Sequence, residues 1–262
     1  RMRRAQRHTH PRQAQVQACA AAEIEQGHAH RRGAAHGPSG ACQVLQQQPQ
    51  HSDALNLLGV LMQQLCQHDA AQTLIEQAIA VRSDVAAYHS NLGALLSKMG
   101  QPEQAIACLQ RALALTPNDA DTHYNLGVAA DKAGDKAVAL SAFQQAVTLR
   151  PKHAATWVSL GHVQRECDDI NAAQAAYQQA LALDAQQSRA WFGLALCADA
   201  QNEPLAAEQA YLRALEISPE FEKPYHNLGN YYLRLRQTER AIEHYRQALH
   251  VRADYAEAHY HL

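Results

Sequence analysis

The stretch Tyr88-His89-Ser90-Asn91-Leu92-Gly93 decides the fold, because versions of it return every 34 residues without insertion or deletion. The clearest are His123–Gly127 (HYNLG), Trp157–Gly161 (WVSLG) and Tyr225–Gly229 (YHNLG), with weaker copies at Leu55–Gly59 and Trp191–Ala195. A unit this short cannot bury its own apolar face, so a fixed period of this size means units stacked on their neighbours in a solenoid. A self-contained active site is not expected of such a stack.

Numbering each unit from 1 to 34, six copies fit: 52–85, 86–119, 120–153, 154–187, 188–221 and 222–255. Each carries two apolar stripes of helical period separated by a short break, which predicts an antiparallel helix pair. The first helix has a large residue at position 4, Leu at 7 and Gly or Ala at 8. The second has Ala at 20, a bulky residue at 24, Ala at 27 and an aliphatic at 30, as in Ala139, Phe143, Ala146 and Leu149. Small residues at 8, 20 and 27 let the backbones approach, so that the bulky residues at 4, 7 and 24 interlock. Pro117, Pro151 and Pro219 at position 32 are expected to end the second helix. Gly100 and Gly134 at position 15 are expected to take a positive φ where the first helix closes.

A large aromatic, Leu-Gly, then Ala, a bulky residue, Ala and Pro at these spacings resembles the tetratricopeptide repeat over 52–255. The resemblance implies an all-α, right-handed superhelical solenoid of antiparallel helix pairs. Departures are local: Ser83, Ala185 and Ala253 replace the proline, and Cys66, Asp168, Asn202 and Arg236 replace the glycine at position 15. Asp and Asn tolerate left-handed geometry better than Arg236 does. Residues 1–17 read as a flexible basic tail, 18–51 as a degenerate repeat, and 256–262 as the start of a further, truncated one. The apolar surface around Tyr245 and Leu249 would then lack its neighbour, which predicts self-association through an uncapped C-terminal end.

Net charge is only −2, but residues 1–50 hold seven Arg against Glu23 and Glu25, leaving the rest acidic. No aromatic residues interleave with those arginines, which argues against a nucleic-acid partner. The six cysteines, Cys19, Cys42, Cys66, Cys108, Cys167 and Cys197, form no C-x-x-C pair and read as small buried apolar residues in a reducing compartment. With no secretory signal and no long apolar run, a cytoplasmic location away from membranes is expected.

The 16 histidines include the pairs His8/His10, His28/His30 and His259/His261, but no recurrent set of partners completes a zinc site, so no metal or other cofactor is expected. His89, His123 and His259, at position 4, read as substitutes for the aromatic of the repeat. No phosphate-binding loop or nucleophile elbow is present, and no catalysis is expected of this chain.

What remains is a surface. With positions 4, 7, 8 and 11 facing inward, positions 2, 5 or 6, 9 and 12 or 13 of the first helices line a concave wall. Its candidate ligand-binding residues are Asn91, Tyr124, Asn125, His162, Arg165, Arg189, Phe192, Lys223, Asn227, Asn230 and Arg234. Asn91, Asn125 and Asn227 share position 6, where an amide can both donate to and accept from an extended peptide backbone. Tyr124 and Phe192 supply rigid anchors. The cations Arg165, Arg189, Lys223 and Arg234 favour an acidic segment. The expected function is a scaffold binding a protein or extended peptide along this wall. The position-6 asparagines also resemble the ladder in the repeat arm of O-linked N-acetylglucosamine transferases, which implies as an alternative the substrate-recruiting arm of a larger glycosyltransferase. A self-assembling structural solenoid is the third reading.

Overall fold

The computed structural model describes residues 39–260. Among these, fourteen helices and no strands follow one another: α1 Ser39–Gln47, α2 Ser52–Gln64, α3 His68–Val81, α4 Ala86–Lys98, α5 Pro102–Leu115, α6 Ala120–Ala133, α7 Lys136–Leu149, α8 Ala154–Glu166, α9 Ile170–Leu183, α10 Ser188–Ala200, α11 Pro204–Ile217, α12 Glu222–Arg234, α13 Thr238–Val251 and α14 Ala256–Tyr260. Each of the six copies is one helix pair, its first helix opening at position 1 and its second closing at position 30. The described residues divide after Val138 into two units, each considered on its own. In the first, α2–α3 and α4–α5 pair as hairpins, and α2, α4 and α6 touch in sequence as neighbouring first helices. In the second, α8–α9, α10–α11 and α12–α13 pair, with α9 against α10 and α11 against α12.

The small positions behave as the spacing predicts. Ala at 20 and 27 is buried in all six copies, and so is the bulky residue at 24: Ile75, Leu109, Phe143, Tyr177, Tyr211 and Tyr245. Glycine at 8 faces that residue within its own pair. A Cβ on Gly59 would lie 2.6 Å from Ile75 Cγ1, on Gly93 2.5 Å from Leu109 Cγ, and on Gly229 2.5 Å from Tyr245 Cε1. Tyr177 is confined twice: a Cβ on Gly161 would lie 2.9 Å from its ring, and one on Gly193, in the next pair, only 2.3 Å.

Position 4 needs correction. The residue before it is buried in every copy, and from the second copy on more deeply than position 4: Ala54, Tyr88, Thr122, Thr156, Ala190 and Pro224. Beyond Leu55 and His89, the position-4 side chains are only half-buried. Their rings instead reach back across the junction to the carbonyl at position 32 of the preceding unit. His89 Nε2–H donates to Ser83 O (2.9 Å), His123 Nε2–H to Pro117 O (2.9 Å), Trp157 Nε1–H to Pro151 O (2.8 Å) and Trp191 Nε1–H to Ala185 O (3.0 Å). His259 repeats the bond to Ala253 O at 2.8 Å, at the opening of α14. The histidines do stand in for the aromatic, and what they share with tryptophan is a ring N–H.

The second helices close at position 30 whether or not proline follows at 32. Thr116 and Ser218, each before a proline, have φ of −136° and −135°. Arg82, Asp184 and Arg252, which precede Ser83, Ala185 and Ala253, lie at −141°, −150° and −139°. Proline favours this extended geometry, and the carbonyl bond across the junction is common to both kinds of terminus. Position 15 is equally uniform. Gly100 and Gly134 have φ of 74° and 82°, and Cys66, Asp168, Asn202 and Arg236 adopt 58–64° without glycine's freedom. The cysteine expectation therefore holds in part: Cys42 and Cys197 are buried and Cys108 half-buried, but Cys66 and Cys167 are exposed in interhelical turns. Cys19, the tail and the first part of the degenerate repeat fall outside the described residues, as do 261–262. Of residues 18–51, α1 is described and buries Ala41, Cys42 and Leu45.

Two consequences are measurable by urea denaturation. Trp191→Phe keeps the ring but removes the donor to Ala185 O, and is expected to cost about 0.5–1.5 kcal/mol. Gly193→Ala should destabilise by about 1–3 kcal/mol, because Tyr177 blocks the new methyl. In a Tyr177→Leu background the same change should become neutral or favourable, since alanine is the better helix former.

Candidate functional site

The wall positions lie on the solvent-reachable side of the first helices, and the two units equip it differently. In the second unit, Val158, Phe192 and Leu196 form a half-buried apolar strip at positions 5 and 9. Phe192 is braced edge-on by Phe221 at 5.0 Å between ring centroids and by Tyr211 at 5.9 Å. Arg189 and Lys223 are exposed on the first turns of α10 and α12, while Arg165 and Arg234 sit on the last turns of α8 and α12. Ten helical residues span about 15 Å, so the four cations do not form one cluster but occupy opposite edges.

The last-turn edge is internally bonded. Arg234 Nη2 pairs with Asp199 Oδ1 at 2.8 Å, and the Tyr211 hydroxyl donates to Asp199 Oδ2 at 2.6 Å. The Tyr245 hydroxyl donates to Asn230 Oδ1 at 2.7 Å, and Arg165 stands close enough to Tyr177 to act on it electrostatically. His162, exposed, turns along its own helix to Glu166, 3.4 Å away. Two residues that the sequence did not assign to the wall therefore organise this edge: Tyr211 and Tyr245, both at position 24 of a second helix. A signal was available. Earlier copies place Ile75, Leu109 and Phe143 there, whereas a phenol in the same apolar slot must find an outlet for its O–H.

In the first unit, Asn91 Nδ2 donates to Asn56 Oδ1 of the preceding pair at 2.9 Å, which leaves its carbonyl oxygen and one N–H for a ligand. Asn125 is half-buried and makes no such bond, and Tyr124 beside it is half-buried. Lys132 Nζ is drawn back to Ser97 O at 2.9 Å. The position-6 asparagines are thus not a uniform ladder: Asn91 is bonded to the preceding pair, whereas Asn125 is not.

Family models described as "Tetratricopeptide repeat" match residues 84–152, 159–220 and 210–243, together more than half of the chain. The chain belongs to the tetratricopeptide repeat family. No curated protein matches it in sequence. Similar solved structures include MamA, at 26% identity and a TM-score of 0.56, covering 63% of this chain and 97% of that one. The Cut9–Hcn1 hetero-tetramer of the APC/C aligns at 17% identity and a TM-score of 0.71 over 85% of this chain, which spans 44% of that chain. YrrB, described as a tetratricopeptide protein with an unusual peptide-binding site, aligns at 22% identity and 0.56, covering 71% and 96%. The fold is that of an interaction scaffold. Among the described residues no helix is long and apolar enough to cross a membrane.

In this repeat protein the tyrosine outlets also shape protonation. Burial pushes the Tyr177 hydroxyl up to about 12, with Arg165 pulling the other way. Tyr211 is raised by burial and then by its bond to Asp199. Both stay neutral donors at physiological pH. Away from the wall, Tyr231 and Tyr232 direct their hydroxyls to the carboxylate of Glu208, and His244 stacks on Tyr232 at 5.2 Å and 8°. Arg240 covers the Tyr232 ring at 5.5 Å. Burial holds His244 below the ordinary histidine value of 6.5, against the opposing pull of Glu243 and Glu208. The unfolded chain therefore takes up this proton first as pH falls. The stabilising contribution of neutral His244 is present above about 6.5 and is lost as the pH drops through the lower folded-state value. Replacing it with phenylalanine, which can stack on Tyr232 but cannot protonate, should flatten part of the decline in melting temperature between pH 7.5 and 5.

Proposed function

We propose that the chain is a non-catalytic scaffold that takes an extended peptide along the first-helix wall of its second unit. The observation that carries this is the pairing of an apolar strip with polar groups already held in place. Phe192, braced by Phe221 and Tyr211, shares the first helices of this unit with Val158 and Leu196 and with Asn230 and Asp199, each of the last two fixed by a tyrosine hydroxyl. A rigid aromatic surface loses little entropy on binding, and preorganised amides and carboxylates spare the ligand the cost of ordering them. The bonded residues keep capacity for a ligand, since an amide or carboxylate oxygen accepts more than one hydrogen bond. The fold's likeness to YrrB, whose description names a peptide-binding site, supports the same reading.

The test is a displayed random-peptide library selected on the protein, followed by affinity measurements on the recovered peptides. Phe192→Ala should weaken them by about 2 kcal/mol or more, as for a central aromatic anchor. Asn230→Ala should weaken them less and with little regard to peptide sequence. Arg246→Ala, on the exposed side of α13, should leave them unchanged. Loss of binding in Arg246→Ala with full affinity in Phe192→Ala would place the ligand on the other face.

A further inference from the structure

Resting on that reading, we propose that the two edges of the second unit's wall have different tasks. Arg189 and Lys223 receive acidic side chains of the ligand, whereas Asp199 withholds Arg234 from it. Arg189 and Lys223 occupy position 2 of successive pairs, on the first turns of α10 and α12; both are exposed and pair with no acid among the described residues. They flank the Phe192–Phe221 contact, so an apolar ligand residue seated on Phe192 places its neighbours beside two unopposed positive charges. The acids nearest in sequence are Asp184 to Arg189, and Glu220 and Glu222 to Lys223; Asp184 accepts from Gln186 N–H and Gln187 Nε2–H, and Glu222 is held 3.5 Å from Arg252.

The opposite edge offers no such vacancy. Arg234 is neutralised by Asp199 at 2.8 Å, and Asp199 is itself locked by Tyr211 at 2.6 Å. Arg165 is half-buried and acts electrostatically on Tyr177. A ligand carboxylate arriving there meets Asp199 as well as the arginines, while at the first-turn edge Glu222 is turned to Arg252 and Arg189 and Lys223 are exposed. The occupant is therefore an extended peptide with an apolar residue flanked by acidic ones on a single edge. Two free cations beside an aromatic strip suit this peptide better than a nucleic-acid strand, which needs a run of cations following its phosphates.

The experiment uses the full chain and three fluorescein-labelled decapeptides, identical but for Glu, Gln or Lys flanking a central Phe, read by fluorescence anisotropy. The Glu peptide should bind most tightly, with affinity falling as salt rises. Arg189→Ala with Lys223→Ala should weaken it about tenfold, and Asp199→Asn, which keeps an acceptor for Tyr211, should strengthen it about two- to fivefold. Arg213→Ala, on the exposed side of α11, should change nothing. If the wild-type protein binds the Glu and Gln peptides equally but loses both in Phe192→Ala, the edge assignment is overturned and the peptide-binding wall stands. No binding of any peptide overturns both. Greater weakening by Arg234→Ala than by Arg189→Ala moves the acidic site to the other edge and refutes the proposal. Tighter binding of a labelled oligouridine than of the Glu peptide assigns the cations to nucleic acid instead.

Discussion

Where the two helices of a pair cross, one backbone offers no side chain and the other fills the space with its largest. Gly59 against Ile75, Gly93 against Leu109 and Gly229 against Tyr245 repeat this contact, and the buried alanines at positions 20 and 27 keep the rest of the crossing close. Close approach maximises dispersion contacts between helices whose apolar stripes are otherwise thin. It also ties the two helices to one size of side chain, since a ring seated on a glycine cannot give way to a methyl. Tyr177, between Gly161 and Gly193, extends the constraint from one pair to the next. Helix boundaries that fall at the same positions in all six copies follow from this fixed crossing.

Between pairs, a second constraint operates through the backbone. A ring N–H at position 4 caps the position-32 carbonyl of the preceding unit, using indole at Trp157 and Trp191 and imidazole at His89, His123 and His259. That carbonyl lies just past a helix terminus and would otherwise depend on water. The requirement at the junction is for a donor at a set reach rather than for aromatic bulk, which is why side chains of such different size alternate there.

Much of this was legible from spacing. The period, the helix pairing and the small and bulky inner positions all follow from residue types at fixed intervals, because packing in a repeat is the same problem solved six times. What spacing concealed was of another kind. Position 4 looked like core because aromatic residues usually are, yet Thr122 and Thr156 at position 3 are the buried ones, bonded locally at the start of their helices. The prolines at 32 looked decisive for termination, though Arg82 and Asp184 end their helices equally well without them. Among the candidate wall residues, Arg165, Arg189, Lys223 and Arg234 were indistinguishable as letters. Only Asp199, brought in by the fold, sets the engaged Arg234 apart from the others.

The tyrosine hydroxyls that pass between the helices have a bearing on how the surface can change over time. Tyr211 and Tyr245 belong to helices behind the wall and are almost wholly enclosed, yet they fix the orientation of Asp199 and Asn230 on it. For the peptide-binding wall proposed above, selectivity would be written partly in residues that never meet a ligand. A drift from tyrosine to phenylalanine at these sites would keep the stack intact while releasing the groups it held. New preferences could then emerge with every surface residue conserved, a route that comparison of exposed positions alone would miss.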